Sequence, residues 1–334
     1  MKCLFLLLLA VTLCYCDIVT DVLSEEWNLF KLEYGKQYES TEDEEYRMGI
    51  FLETRKKIAQ HNAEYERGKT SFKLGINQFS DLLQEEFTQK MNGFNKAKKS
   101  VKKEGFMYIT PANAVIPVGM DWRKKGAVTR VKDQGSCGAC WAFSAVGALE
   151  GQNFRKTGTL TTLSEQQIID CNKDGNGGCN GGGYIDLSFR YIRENGGINS
   201  AKSYPFEGKD GQCKYISKNK TAIVTGEIYI PAGNEKKLKD AVATIGPIAV
   251  AVDASSPLFQ HYKTGIYYDE ECNSQNANHG MLVVGYGVEK GTKLGYWLVK
   301  NSYGTKWGDN GYMKIRRNKG NHCGIASHAS YPLV

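Results

Sequence analysis

The chain has 334 residues, 41% hydrophobic and 24% charged, with ten cysteines and a net charge of +7. That composition suits one or two globular units with a sizeable core and excludes a disordered or low-complexity chain. No nucleotide-binding loop, metal-ligand cluster or nucleic-acid motif occurs, so neither a cofactor, a metal nor a nucleic-acid partner is expected, and the positive balance reads as a solvated surface.

The first residues, MKCLFLLLLAVTLCYCD, carry one lysine, an apolar run from Leu4 to Leu13, and small or semi-polar residues before Asp17. The run is too short to span a bilayer and is built as a secretory signal over residues 1–16, cleaved near Cys16. Nothing later in the chain reads as a membrane span. A secretory, disulfide-forming compartment is expected, lysosomal or extracellular.

Residues 17–115 hold 15 basic and 17 acidic side chains (−2), whereas residues 116–334 hold 27 and 19 (+8). Within the first part, Asp43, Arg47, Phe51, Thr54, Ile58 and Asn62 recur every three or four residues, which places all six on one face of a helix. Gly75, Asn77, Phe79 and Asp81 follow, and then a basic stretch without apolar pattern, NKAKKSVKKEG, suits a protease-accessible connector. The opposite charges of the two parts suggest mutual attraction that acid would weaken.

Cys3, Cys14 and Cys16 leave with the signal, and the seven remaining cysteines are an odd number. Three disulfides and one free thiol is the economical reading, and a free thiol in a secreted protein needs a reason. In QGSCGACWAF, residues 134–143, the pair Cys137 and Cys140 has a spacing shared by zinc sites, redox disulfides and nucleophilic thiols. A zinc site wants a second ligand pair, for which His322-Cys323 is only a lone dipeptide, and a thioredoxin-like redox pair would use an even number and sit after the first strand of a small α/β domain. From Cys140 onward CWAFSAVGALEGQNF is apolar on nearly every face until RKTG, which predicts a buried helix of about four turns starting at Cys140. A helix N-terminus stabilises a thiolate, so Cys140 is the better nucleophile and Cys137 the better structural cysteine.

A thiolate hydrolase needs an imidazole. Among five histidines, His279 opens NHGMLVVGYG at the mouth of an apolar strand, and Asn301 ends the next apolar strand, YWLVK, where its amide can fix the imidazole tautomer. Up to about Thr225 the pattern is helical, with LSEQQIIDC started by a capping box of Ser164 and Gln167 and a helical stretch over Tyr184 to Arg193. Thereafter IAVAV, MLVVGY, YWLVK and YMKIR alternate with glycine turns as strands. The expected class is α+β, with a cleft between a helical half carrying Cys140 and a β half carrying His279 and Asn301.

CGACW, a histidine 139 residues after Cys140 and an asparagine 161 residues after it together resemble the papain family of cysteine proteases. The resemblance runs from about residue 24 to the end. GCNGG at 178–182, LVVGYG, KNSYGTKWG and CGIASHASYPLV are similar to cathepsin L-like enzymes; the helical face from Asp43 to Asn62 resembles their ERFNIN propeptide helix, and Gly75, Asn77, Phe79 and Asp81 their GxNxFxD motif. It implies a papain-like two-domain fold, helical left and β-barrel-like right, preceded by an inhibitory propeptide at 17–115 whose removal near Ile116, at acidic pH, frees a peptidase domain at 116–334. It implies a cysteine endopeptidase in which Cys140 attacks, His279 exchanges protons, Asn301 orients the ring, and Gln134 with the Cys140 backbone N–H forms the oxyanion hole.

The same resemblance pairs Cys137 with Cys179, Cys171 with Cys213, and Cys272 with Cys323, which cysteine spacing alone does not choose. It assigns substrate backbone to Gly181 and Gly182, the pocket for the residue two before the cut to Tyr184, Ala251, Ala277, Gly280 and His328, and the far side of the cut to Trp307. His328 stands where a small apolar residue is usual, Asn278 where Asp is common, and Tyr303 where a tryptophan usually shields the His–Asn pair. Protein and peptide substrates, the chain's own propeptide and cystatin-type inhibitors are the implied partners of a monomer. Asn219-Lys220-Thr221 is a glycosylation sequon. The alternative from another class is a catalytically silent binding protein or decoy on the same fold.

Overall fold

Ser40 sets the start of the longest helix: its Oγ accepts the Asp43 N–H at 3.1 Å, and Glu42, Asp43 and Glu44 complement the dipole in the first turn. The computed structural model describes residues 21–94 and 105–334; the signal assignment and nearly all of the basic connector lie outside them. In chain order the N-terminal part contains α1 (21–34), α2 (Thr41–Glu66), β1 (Phe72–Leu74), α3 (Gln84–Met91) and β2 (Phe106–Met107). The six-residue face of α2 is used along its whole length. Phe51 packs on Trp27 and Phe30 of α1 at 5.4 and 4.7 Å, Arg47 grips Glu86 of α3 by two bonds of 2.7 and 2.9 Å, and Asn62 exchanges two bonds with Leu74 of β1.

The rest of the chain supplies β3 (Met120–Asp121), α4 (Cys140–Thr157), α5 (Glu165–Cys171), α6 (Gly178–Gly181), α7 (Ile185–Glu194), β4 (Ile198–Asn199), β5 (Lys220–Ala222) and β6 (Gly226–Tyr229). It continues with α8 (Glu235–Thr244), β7 (Ile248–Val252), α9 (Pro257–Gln260), β8 (Tyr262–Tyr267), β9 (His279–Val288), β10 (Gly295–Lys300), β11 (Tyr312–Arg316) and β12 (Ser330–Leu333). Every residue of α4 from Cys140 to Gln152 is buried, and Gly158 ends the helix in the left-handed region at φ 74°. A side chain at Gly147 would stand 2.8 Å from Leu282 of β9, so that glycine lets α4 lie tightly against the sheet. Only half of the expected capping box forms on α5. Ser164 caps the Gln167 N–H, but its own N–H goes to the Asn199 carbonyl, and the Gln167 side chain reaches Tyr191 and Asn199 instead.

The large sheet runs β1-β8-β11-β10-β9-β7-β12-β6-β2, with β3 on β9. Both ends of it are closed by the N-terminal part: β1 pairs antiparallel with β8, and β2 pairs parallel with β6. Edge strands offer unpaired backbone groups, and here the N-terminal part satisfies them. The helical cluster around α4 and the barrel-like sheet each hold their own apolar core, and the two cores meet along β7 and β9.

Candidate active site

Cys140 begins α4, and Cys137, three residues earlier, is tied to Cys179 by a disulfide. Cys171 is bonded to Cys213 and Cys272 to Cys323, which leaves Cys140 as the free cysteine among the described residues. His322 lies beside the Cys272–Cys323 sulfurs, but sulfurs in a disulfide offer no thiolate to a metal. A side chain at Gly280 would come within 2.8 Å of the Cys140 carbonyl, so the mouth of β9 lies directly on the start of α4. His279 is the residue before that contact.

His279 Nε2 meets Asn301 Oδ1 at 2.8 Å. The same Oδ1 accepts the Ser302 N–H at 2.8 Å, so it is an acceptor and Nε2 is the protonated nitrogen. Nδ1 is thereby left to exchange protons. It faces the Tyr303 hydroxyl at 3.2 Å, and the Tyr303 ring lies over the imidazole at 4.7 Å between centroids.

The N-terminal part passes through this cleft. Gly93 N–H donates to Cys140 Sγ at 3.4 Å, and a Cβ at Gly93 would lie 1.6 Å from the Gly138 carbonyl oxygen, so only glycine passes here. Gln134 Nε2 donates to the Met91 carbonyl at 2.9 Å, while Ser302 Oγ donates to Gln134 Oε1 at 2.6 Å and fixes the amide. The Met91 carbonyl thus stands where Gln134 would hold an oxyanion. Phe94 sits in a pocket against Tyr184 at 5.9 Å and His328 at 5.4 Å, and it shares an apolar cluster with Ala251 and Ala277. Burial pushes the Cys140 thiol up, although N–H groups of Gly280, Gly93, Phe94 and Trp141 partly offset it, and burial pushes His279 down to about 4. Both shifts favour the uncharged thiol and imidazole over the ion pair.

Not every expected residue meets this segment. Gly183, rather than Gly181 or Gly182, donates to the Gly93 carbonyl at 2.9 Å and pairs with Phe94. Gly181 N–H and the Gly182 carbonyl are engaged with Gly177 inside their own turn, which is the physical reason. Gly280 abuts Cys140, and Trp307 is buried against Tyr303 and Phe259 with its N–H on the Gln260 carbonyl. Sequence reasoning missed Gly183 and Ser302; the third glycine of GCNGGGY was the available signal for the first, and nothing marked the second.

The charge contrast is expressed differently from the expectation. Lys36–Asp81, Arg47–Glu86, Lys31–Glu44 and Arg55–Glu26 are internal to the N-terminal part. Strand pairing, bonds such as Asn77 Nδ2 to the Gln260 carbonyl at 2.9 Å, and Phe79 and Phe87 packed on Tyr303 join it to the rest.

Residues 116–333 match the papain family cysteine proteases, and residues 27–87 match the cathepsin propeptide inhibitor domain. The chain is similar to the cathepsin L-like peptidase of Aedes aegypti, 51% identical over 100% of both chains. It is also similar to procathepsin L of Mus musculus, 48% identical over 98% of this chain and 99% of that one. Its fold is similar to that of the digestive procathepsin L 3 of the Tenebrio molitor larval midgut, with a TM-score of 0.87 at 42% identity over 93% of this chain and 99% of that one. A thiol at a helix start, an imidazole held by an asparagine and an inhibitory segment laid across both have one joint account: the chain belongs to the papain family of cysteine proteases and is a cathepsin L-like endopeptidase in its zymogen form.

Proposed function

We propose that Cys140, His279 and Asn301 are the catalytic residues, with Gln134 and the Cys140 N–H as the oxyanion hole. The observation that carries this is His279 Nε2 on Asn301 Oδ1 at 2.8 Å, which leaves Nδ1 as the proton-exchanging nitrogen, while the next residue, Gly280, abuts Cys140, the only free cysteine among the described residues. Once the cleft is open to water, the Cys140 thiolate adds to the peptide carbonyl and the oxyanion takes the place of the Met91 carbonyl. His279 Nδ1–H protonates the departing amine as the C–N bond breaks, and an acyl-thioester forms. A water then gives a proton to Nδ1 and attacks the thioester, which releases the acid and restores the thiolate. Cys140→Ser should abolish turnover of a fluorogenic peptide while the folded zymogen is retained; turnover within tenfold of the parent would remove the assignment.

Domain limits of 1–16, 17–115 and 116–334 belong to the same reading. Pro111–Asn113, Val115 and Val118 are exposed, which supports a cut near Ile116. Phe94 beneath His328 supports Tyr184, Ala251, Ala277 and His328 as the lining of the pocket for the residue two before the cut. The edge of an exposed His328 over that pocket favours polar or acidic residues when protonated, so peptide-library profiles at about pH 4.5 and 7 should differ at that position; identical profiles would remove the idea. Gly181 and Gly182 as partners of substrate backbone, Gly280 in the same pocket lining and Trp307 on the far side of the cut belong to the proposal as well, with Gly183, which holds the Gly93 carbonyl, beside them. Asn219, partly exposed in a short 3-10 turn, is the proposed glycosylation site, and a monomer acted on by cystatin-type inhibitors in lysosomal or extracellular space completes the reading.

A further inference from the structure

Asn92 lies between Met91, on Gln134, and Gly93, on Cys140 Sγ, and it is fully buried. Its carboxamide is satisfied on every side. Oδ1 accepts from the Tyr303 hydroxyl at 3.1 Å, while Nδ2 donates to the Ala254 carbonyl at 3.3 Å and to Asn278 Oδ1 at 3.2 Å. Asn278 is itself locked: its Oδ1 accepts the Ala254 N–H at 2.9 Å and its Nδ2 donates to Asp253 Oδ1 at 3.1 Å and to Ser255 Oγ at 2.5 Å. The pocket therefore presents one donor and two acceptors, the complement of a primary amide, which has one acceptor oxygen and two N–H donors.

Phe94 occupies the side of Cys140 that takes residues before the cut, so Asn92, on the opposite side of Gly93, marks the position just after it. We propose that this pocket is a carboxamide-selective subsite, read by Tyr303, Asn278 and the Ala254 carbonyl, for an asparagine side chain immediately after the scissile bond. The inference rests on the protease reading above. Aspartate would set a carboxylate oxygen against Ala254 O and Asn278 Oδ1, and leucine would leave all three groups unpaired. Tyr303 has a single proton to share between the amide oxygen and His279 Nδ1 at 3.2 Å. When His279 is protonated, Nδ1 no longer accepts the phenol proton, which is then free for the amide oxygen, so the subsite is complete in the ion-paired, reactive enzyme.

The test uses the full chain after propeptide removal and three internally quenched peptides with phenylalanine two before the cut and asparagine, aspartate or leucine just after it. At about pH 6, where aspartate is ionised, kcat/KM for the asparagine peptide should exceed both others by about tenfold. Tyr303→Phe should bring the asparagine-to-leucine ratio towards one, a change that a merely structural role for the ring would not produce. Equal cleavage of the three peptides by the parent enzyme, or an unchanged ratio in Tyr303→Phe, overturns the subsite and leaves the protease reading intact. A folded, propeptide-free enzyme that cuts none of them overturns both.

Discussion

Gln134 is held at both ends before any substrate arrives, with Ser302 Oγ on its Oε1 and its Nε2 already aimed at a carbonyl oxygen. Such preorganisation is what a developing oxyanion needs. Gln134→Ala should therefore lower kcat by about 10²–10³-fold with little change in KM, read by steady-state kinetics on one fluorogenic peptide; a change confined to KM would assign Gln134 to ground-state binding. Cys140, His279 and Asn301 could be proposed from sequence because the odd cysteine count, the apolar run after Cys140 and the strand-end positions each leave a mark there, whereas Gln134 came only from the family resemblance. Gly183 could not be, because which of three consecutive glycines faces the cleft depends on how the turn at Gly177 uses the other two. Ser302 acts through a contact 168 residues away in sequence, which no local pattern announces.

At the scale of elements, α2 was readable from its period alone, since one face must meet α1, α3 and β1 in turn. The capping box on α5 was half right, because a tertiary backbone partner, the Asn199 carbonyl, took the N–H that the Gln167 side chain was expected to hold. The contact of β1 with β8 also leads to the prediction of an acid response. His261, just before β8, is buried beneath the N-terminal part: its carbonyl accepts the Gly75 N–H, its ring lies 3.4 Å from Ser80 Oγ, and Lys57 and His61 of α2 face the same groove. Burial, and secondarily the Lys57 charge, lower its pKa from 6.5 to about 3. The released state binds the proton more readily, so His261 supports docking fully above 6.5 and that support is lost progressively as pH falls towards about 3. The Arg47 guanidinium holds Glu86 below its usual 4.5, so this ion pair contributes fully above 4.5 and its loss as pH falls below that loosens the propeptide from within. His261→Phe should move the midpoint of acid processing, followed by gel, to lower pH; an unmoved midpoint would exclude His261 as a contributor.

For the whole molecule, the opposite charges of the two parts were visible in composition, but their partners were not. The acidic groups of the propeptide found basic groups within the propeptide, because its own separate core is small, Trp27, Phe30 and Phe51, and gains from internal pairing, while its other buried apolar side chains pack into the cores of the enzyme. What joins it to the enzyme is shape: a strand on each edge of the sheet, glycine at the thiol, and Phe94 packed between Tyr184 and His328. The central claim is that one segment keeps Cys140 covered, uncharged and unreactive until acid releases it. The direct measurement is covalent labelling by a thiol-directed epoxide, with mass spectrometry of the Cys140 peptide, on the full chain near neutral pH and again after incubation at about pH 4.5. The account predicts no label at Cys140 before acid and close to one equivalent afterwards; labelling of the intact, folded zymogen at neutral pH, or none after the propeptide is gone, would contradict it.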